Sequence, residues 1–223
     1  AASFELVVAH TGSAHTLAVA LTAGRGAKKI PVIRTRGDAR TPKPRPGRRL
    51  LWRRTAGFVA ANSLILEGQR RFSESLGLPS AVIYEGADDP GPPEPPSSRA
   101  PTVGIVARLD PVKGHAVFLA AAARTLRDCP DARFLIIGRE ENVRSADLLR
   151  EARRLGIADR VEITGHVLDA AAAMRRCHLG VIASLGSEAV SRAAVEWMAL
   201  GRPLVATRVG CLPEYVVDGE TGL

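Results

Sequence analysis

Residues 102–114 read TVGIVARLDPVKG. This stretch decides the fold prediction, because an apolar run of strand length passes directly into a turn-rich loop that carries two cations, Arg108 and Lys113. A helical pattern follows the loop, and the same order of strand, loop and helix recurs to the end of the chain. Strand–helix alternation with short connections predicts right-handed crossovers and a parallel sheet, which binds ligands at the carboxyl ends of its strands.

The pattern extends in both directions and predicts an α/β protein with two Rossmann-like domains. Before residue 87, strands are predicted over 4–8, 30–34, 58–61 and 81–84, with helices over 13–22 and 64–76. After residue 101, strands are predicted over 102–107, 133–137, 161–163, 179–183 and 203–207, with helices over 116–126, 146–155, 170–175 and 188–200. Residues 87–101, ADDPGPPEPPSSRAP, contain six prolines and predict a linker between domains 1–86 and 102–223.

The composition excludes several classes of protein. Of the 223 residues, 46% are hydrophobic and 4% aromatic, which favours an aliphatic core of helices on strands. No apolar run approaches the roughly 20 residues needed to span a bilayer, and no basic segment precedes the first apolar stretch. The cysteines Cys129, Cys177 and Cys211 are widely spaced and predict neither a metal nor a redox site. We therefore expect a cytoplasmic protein, with peripheral attachment to the inner face of the membrane as a variant of that prediction.

Positive charge is concentrated in one stretch. Residues 34–54 carry nine Lys and Arg against one acid, Asp38. Such a block indicates an anionic partner, namely a phosphorylated acceptor, an anionic lipid surface or nucleic acid, and its alternative is a solvated loop. Because aromatic residues that stack on bases are nearly absent there, we expect no specific nucleic-acid binding. Arg34, Arg36 and Arg40 are the predicted basic patch.

Two loops that follow predicted strands carry charged side chains suited to a nucleotide ligand. Arg108 and Lys113 precede a predicted helix, whose amino terminus offers N–H groups and a positive dipole, so this loop suits a diphosphate. Glu188 and Glu196 mark a second segment, predicted as one helix, on which they would be separated by about 12 Å of rise and about 80° of rotation. Carboxylates accept hydrogen bonds from sugar and ribose hydroxyls. The alternative interpretation of Arg108 and Lys113 is that they are ordinary exposed cations of a loop. The alternative for the two glutamates is that they lie on the surface of an amphipathic helix.

Five segments follow one another in this half of the chain: RLDPVKG, ARFLIIG, RVEITGHVLD, the Glu-x7-Glu segment and GRPLVATRVGCLPEYVVDGETGL. In this order they resemble the donor domain of the group 1, family 4 retaining glycosyltransferases. The resemblance covers residues 101–223 and implies the GT-B fold of two Rossmann-like domains. It also implies which residues bind a nucleoside diphosphate sugar. The implied donor-binding residues are Arg108 and Lys113 at the diphosphate, Gly165, His166 and Val167 at the base, Glu188 and Ser191 at the sugar, and Glu196 at the ribose.

The first part of the chain is similar to the acceptor-binding domain of the same family. FELVVAHTGSAH resembles a strand that ends in His-x-His, of which His10 is kept and Val8 replaces the first histidine. The resemblance makes His10, with Glu188, a catalytic residue, and places Arg34, Arg36 and Arg40 on the acceptor side. The alternative for His10 is a strand-end histidine with a local hydrogen bond, and we expect His15 at the surface.

The sequence also departs from the family pattern. Residues 189–191, Ala-Val-Ser, stand where the family usually has Gly-Phe-Gly, and Cys211 stands at a common glycine position. The first strands of a family N-terminal domain and the last helices of the donor domain have no counterpart, so the chain is expected to be truncated at both ends. An incomplete first sheet exposes an edge, which predicts an oligomer formed through that domain or low autonomous stability.

The implied reaction is transfer of a sugar, with retention of anomeric configuration, to an anionic or membrane-linked acceptor. The implied enzyme uses no cofactor, and since the sequence lacks an Asp-x-Asp triplet we expect no metal. Three alternatives are a non-catalytic nucleotide-sugar-binding fragment, a basic nucleic-acid-binding protein and a glycogen-phosphorylase-like enzyme. The second is supported by charge alone, and the third lacks a recognisable pyridoxal site.

Overall fold

The structure is a computed structural model and describes residues 4–22, 30–38, 47–186 and 188–223. The chain divides into two compact units, Ala1–Glu85 and Gly86–Leu223. Each unit contains one sheet, and every strand pair in the described ranges is parallel. The predicted α/β class is therefore confirmed. Within those ranges, no helix is both long enough and apolar enough to cross a lipid bilayer.

The first unit is a four-stranded sheet with its helices in the connections. In chain order its elements are β1 (Val7–Ala9), α1 (Gly12–Thr22), β2 (Val32–Arg36), α2 (Arg48–Trp52), β3 (Gly57–Ala60), α3 (Ser63–Glu74) and β4 (Ser80–Val82). The strand order is β1-β2-β3-β4. Asn62 caps α3 by accepting a hydrogen bond from the amide of Ile65 at 2.9 Å, which fixes the start of that helix at the end of β3.

Helix α2 was not predicted, because its run of arginines resembles a solvated loop. Trp52 at its end is buried and makes tilted or edge contacts with Phe58 and Phe72, at ring-centroid distances of 5.8 and 5.5 Å. His15 also packs edge-on against Trp52, and its Nε2 lies 2.8 Å from the hydroxyl of Thr55. The prediction that His15 lies at the surface is therefore wrong. Trp52, together with the partly buried Leu51, supplies the apolar contacts that hold the helix.

The second unit is a five-stranded sheet with helices on both faces. Its elements are β5 (Thr102–Val106), α4 (His115–Asp128), β6 (Arg133–Ile137), α5 (Ser145–Arg154), β7 (Val161–Gly165), α6 (Ala170–Met174), β8 (Leu179–Ile182), α7 (Arg192–Ala199), β9 (Leu204–Ala206) and α8 (Leu212–Tyr215). The strand order is β7-β6-β5-β8-β9. Strands β6 and β7 are added on one side of β5, and β8 and β9 are added on its other side. This change of side between β5 and β8 creates a crevice at their carboxyl ends.

Strand β6 shows why the two faces of this sheet are both apolar. Phe134 and Ile136 belong to one buried cluster, and Leu135 and Ile137 belong to the other. Successive side chains of a strand point to opposite faces, so a strand buried on both faces has a continuous apolar sequence. The run RFLII is such a sequence.

The proline-rich segment belongs to the second unit and packs against the rest of it. Residues 83–101 form neither helix nor strand. Arg202 is buried and donates from Nη1 to the carbonyl of Glu94 at 2.7 Å, and Arg175 donates to the carbonyl of Pro90 at 3.4 Å. Proline cannot donate a backbone hydrogen bond, so carbonyl oxygens supply two of these contacts, while Ser97 donates its amide to the carbonyl of Arg175 at 3.2 Å.

Two glycines make room for the largest buried side chain of the second unit. Gly104 in β5 and Gly180 in β8 are paired in register, and the fully buried Trp197 of α7 lies across both. A Cβ atom would lie 2.9 Å from the Trp197 ring at Gly104 and 2.5 Å from it at Gly180. Only glycine allows this close approach, so the pair sets the distance between α7 and the sheet.

The Gly180→Ala substitution is expected to destabilise the second unit by about 1–3 kcal/mol or more, because the added methyl group overlaps a ring that has no free space to move into. The matched control is Gly186→Ala, where the nearest atom to an added Cβ is 3.9 Å away, and there we expect a change within about 1 kcal/mol. Urea unfolding monitored by tryptophan fluorescence measures both. Equal midpoints for the two variants would contradict the role of the glycine pair.

Candidate functional site

A cavity of about 230 Å³ opens where β5 and β8 end. Its walls are the strand ends at 105–107 and 181–184, together with Lys113, Glu188 and residues 190–193, where α7 begins. It lies at the point where the strand order reverses, which is the usual place for a ligand in an open parallel sheet. A lysine, a buried carboxylate and a helix amino terminus therefore surround one space.

Glu188 is the central polar group of this cavity. The residue is 3% exposed, and its Oε1 accepts hydrogen bonds from the ammonium of Lys113 and the hydroxyl of Ser184. Its carbonyl oxygen accepts from the amide of Cys211 at 2.8 Å. Gly210 has a positive φ of 58°, and a Cβ at that residue would lie 1.9 Å from the same carbonyl oxygen. The segment after β9 thus holds the backbone of Glu188 by close contact.

Lys113 is positioned by a capped turn. Asp110 precedes a single 3-10 turn, Pro111–Lys113, and its carboxylate accepts from the amide of Val112 at 2.9 Å and from the side chain of Asn142 at 2.6 Å. The amide hydrogen bond, followed by that of Asn142, lowers the pKa of the Asp110 carboxyl. An acidic cap followed by proline is a recognisable helix-start signal, so the role of Asp110 was available from the sequence.

Gly114 brings the turn against the end of β8. Its φ is +70°, and a Cβ would lie 1.9 Å from the carbonyl oxygen of Ala183. Leu185 donates its amide to the carbonyl of Val112 at 2.8 Å. The loops after β5 and β8 therefore contact each other directly, and this contact brings Lys113 to Glu188.

Arg108 lies outside the cavity wall. Its side chain is about half exposed, and its guanidinium lies 3.9 Å from the carboxylate of Asp110. The amide of the next residue, Leu109, donates to the carbonyl of Arg139 at 2.8 Å, so the loop backbone is fixed while the Arg108 side chain extends from it. Of the two predicted diphosphate ligands, the structure places Lys113 in the cavity and Arg108 beside it.

The predicted helix over 188–200 begins later than expected, at Arg192, with Ser191 as its N-cap residue. Glu188 lies in the preceding loop, so the rise and rotation calculated for two glutamates on one helix do not apply. The reason is tertiary, since the Glu188 backbone is held by Cys211 and Gly210 rather than by helical hydrogen bonds. Glu196 does lie on α7, where its carboxylate is 3.4 Å from Arg192.

The predicted base-contacting residues lie at the end of β7. Gly165 has a φ of +68°, and its carbonyl accepts from the amide of Gly138 at 3.2 Å. His166 is exposed and Val167 is half-buried against the cluster that contains Trp197. These residues are on the carboxyl side of the sheet, as the cavity is, but do not form its wall.

Two buried residues near the cavity, His115 and Cys211, were not predicted to contribute to the site. His115, the first residue of α4, is buried, and burial lowers the pKa of its imidazole. Cys211 is also buried, and burial raises the pKa of its thiol to about 11, so the thiol stays protonated at neutral pH. Within the described part of the chain, no group of three or more metal-ligating side chains comes together.

In the first unit, His10 is exposed directly after β1. Its Nδ1 lies 2.7 Å from the hydroxyl of Thr35. His10 therefore has the local hydrogen bond that was its alternative interpretation, and its second ring nitrogen is the one left for another partner.

Of the three residues of the predicted basic patch, the two that the structure describes, Arg34 and Arg36, are largely covered by other parts of the first unit. Arg34 is 6% exposed and donates from Nη1 to the carbonyls of Ala9, at 2.9 Å, and Thr35. Arg36 is paired with Asp38, and Arg40 lies outside the described residues. The strand alternation of β2 turns Arg34 inward, because it shares a face with the buried Val32. The described exposed cations nearby are Arg49, Arg53 and Arg54.

The family model described as glycosyl transferases group 1 matches residues 100–223. The D-inositol 3-phosphate glycosyltransferase of Segniliparus rotundus is 34% identical over 125 residues, which are 54% of this chain and 28% of that protein. The phosphatidyl-myo-inositol mannosyltransferase of Mycolicibacterium smegmatis is 32% identical over 174 residues, which are 74% of this chain and 43% of that protein. The chain thus spans less than half the length of these curated relatives.

Solved structures confirm the predicted GT-B type of fold. Anabaena Alr3699/HepE in complex with UDP superposes with a TM-score of 0.79 at 23% identity, over 99% of this chain and 64% of that one. A glycosyltransferase from Rickettsia africae superposes with a TM-score of 0.75 at 18% identity, over 98% of this chain and 62% of that one. With the family match over more than half of its residues, the chain belongs to the group 1 glycosyl transferases.

Proposed function

We propose that this chain carries the donor site of an enzyme that transfers a hexosyl group from a nucleoside diphosphate sugar to an acceptor. Transfer retains the anomeric configuration and needs no metal. The observation that carries the proposal is the meeting of Lys113, Glu188 and the amino terminus of α7 around one cavity at the strand reversal. Family membership and the UDP-bound neighbour support a nucleotide-sugar donor.

The diphosphate is the group that this cavity suits best. The first N–H groups of a helix have no partner within the helix, and Arg192 and Ala193, the first two residues of α7, belong to the cavity wall. Together with the Lys113 ammonium they stabilise negative charge on the leaving diphosphate as the glycosidic bond breaks. In other enzymes a metal ion stabilises the negative charge of a leaving diphosphate. Here we propose that the lysine and the helix amino terminus stabilise it, and that the reaction is therefore metal-independent.

The two glutamates have separate proposed tasks. Glu188 is buried at the cavity and accepts hydrogen bonds from hydroxyls of the transferred sugar, with Ser191 beside it. Glu196, one turn along α7, accepts from the ribose of the donor. Glu188 pairs with Lys113, so donor binding exchanges this ion pair for contacts of both residues with the donor. His10 is the proposed catalytic group of the first unit.

The acceptor is proposed to be anionic or membrane-linked. Both relatives described above are named for phosphorylated or phosphatidyl inositols. In the first unit, the exposed Arg49, Arg53 and Arg54 surround the end of α2, and Leu50 in the same helix is 63% exposed. Exposed cations beside an exposed leucine suit a phosphate-bearing surface.

A non-catalytic nucleotide-sugar-binding piece is the second candidate. This role needs only that the cavity binds the donor, without any turnover. Binding and turnover measurements therefore have to be separated.

The Lys113→Met variant is expected to bind UDP, GDP or ADP about 10- to 100-fold more weakly than the unchanged chain, since a charge-assisted hydrogen bond contributes about 1.5–3 kcal/mol. Calorimetric titration of each nucleotide identifies the preferred base and measures the loss. Arg124→Met is the matched control, because it removes an exposed cation from α4 away from the cavity. Equal affinities in the two variants would remove Lys113 from the donor site.

In the same titrations, Glu196→Gln is expected to weaken the binding of nucleotide and nucleotide sugar alike, whereas Glu188→Gln is expected to weaken the binding of the sugar-bearing ligand more.

Sugar transfer is expected to continue in excess EDTA at a rate within about twofold of the untreated protein, because the diphosphate charge is stabilised by protein groups. The assay follows nucleoside diphosphate release after extensive dialysis against the chelator. Loss of activity that Mg²⁺ restores would show that a metal performs this task.

Reversing two exposed charges, with Arg53→Glu and Arg54→Glu together, is expected to weaken binding to anionic phospholipid vesicles by about 30-fold or more. The reason is that each basic residue near such a surface contributes about 1 kcal/mol. Vesicle cosedimentation at low and physiological salt measures it, with neutral phosphatidylcholine vesicles alongside. The control pair Arg124→Glu and Arg127→Glu changes the net charge equally on α4 of the other unit. A similar loss in both pairs would mean that the first unit has no specific membrane surface.

A further inference from the structure

The hydroxyl of Thr35 is the described partner of the His10 imidazole. His10 follows β1 and Thr35 lies in β2, 25 residues later, and the Oγ1–Nδ1 distance is 2.7 Å. Thr35 is β-branched and lies within a strand, so its side chain has few rotamers and its hydroxyl position is well defined. The strand that neighbours β1 thus presents a fixed hydrogen-bonding group to one ring nitrogen.

Arg34 fixes the two backbone segments that carry this pair. Its guanidinium Nη1 donates to the carbonyl of Ala9, the residue before His10, and to the carbonyl of Thr35. Ala9 and Arg34 are also register partners in the parallel pair of β1 and β2. One buried cation therefore holds both the strand end that leads to His10 and the residue that contacts its ring. Burying an arginine raises the free energy of the folded state unless its N–H groups are hydrogen-bonded. The two hydrogen bonds of Arg34 therefore stabilise its buried position.

We propose that Thr35 is a positioning residue for His10. A threonine hydroxyl can donate or accept, and in this role that of Thr35 donates to Nδ1, which keeps the ring proton on Nε2 and fixes the orientation of the imidazole. Nε2 is then presented in a single protonation form to the substrate. In a neutral imidazole one nitrogen donates and the other accepts, so the hydrogen bond at Nδ1 decides what Nε2 can do. The hydrogen bond between Thr35 and His10 does not depend on the proposed function. The catalytic use of Nε2 does rest on it.

The first test measures the imidazole itself and needs no turnover. Long-range ¹H–¹⁵N correlation spectra of histidine-labelled chain at pH 8.5, well above the ordinary imidazole pKa of about 6.5, report the tautomer ratio of each ring. The His10→Gln variant assigns the His10 signals. Thr35→Val keeps the β-branched shape and removes the hydroxyl, so the His10 tautomer ratio is expected to change by about threefold or more. Thr35→Ser is expected to restore it.

The matched control is Thr16→Val. The Thr16 hydroxyl donates to the carbonyl of Gly12 within α1, at 3.1 Å, so this variant removes a threonine hydroxyl from the same unit without touching His10. The ratio is expected to stay unchanged there. A His10 ratio that is the same in Thr35→Val and in the unchanged chain would overturn the proposal, as would an equal shift in Thr16→Val.

The second test asks whether the positioning serves the reaction. Thr35→Val is expected to lower kcat by about tenfold or more, with the donor affinity measured by calorimetry unchanged, and Thr35→Ser is expected to recover most of the rate. If His10→Gln leaves turnover intact, the catalytic role proposed for His10 fails while the hydrogen-bond coupling stands. If His10→Gln abolishes turnover but Thr35→Val does not lower it, the positioning role is wrong.

Discussion

The indole of Trp197 lies across Gly104 and Gly180, and the position of α7 follows from this contact. The two glycines are paired in neighbouring strands, so together they form a shallow surface that admits a flat ring and holds it near the backbone. The amino terminus of α7 then reaches the carboxyl ends of the same two strands, where the cavity opens. Glu196 immediately precedes Trp197, so its carboxylate is placed by the same packing. An apolar contact on one face of the sheet therefore positions polar groups at its edge.

The charges in the cavity are balanced within the second unit. A buried carboxylate without a partner costs several kcal/mol, and Glu188 avoids this by accepting from Lys113 and Ser184. Its backbone is held independently, by the amide of Cys211. The side chain can therefore change partners while the main chain stays in place. Under the proposed function, this separation lets the donor diphosphate compete for Lys113 while the loop keeps its geometry.

Arginine-rich composition has two different structural outcomes in this protein. Some arginines are exposed, as Arg53 and Arg54 are after α2. Others are buried and donate to backbone carbonyls, with Arg34 holding two strand ends and Arg202 holding the proline-rich segment. Guanidinium groups suit this second use, since they are planar, carry five donors and are weakly hydrated. The net charge of a segment therefore overstates the positive charge that it presents to a partner.

The sequence by itself determined the α/β class, most strands of both sheets and the loop that bears Lys113, because apolar runs and turn residues are local signals. It could not show that α2 forms, since Trp52 gains its contacts from α1, β3 and α3. Nor could it show that α7 begins at Arg192, because Glu188 is held by a segment beyond β9. The direction of Arg34 and the pairing of His10 with Thr35 were likewise decided by strand register. Each of these depends on residues far apart in the chain, and only packing brings them together.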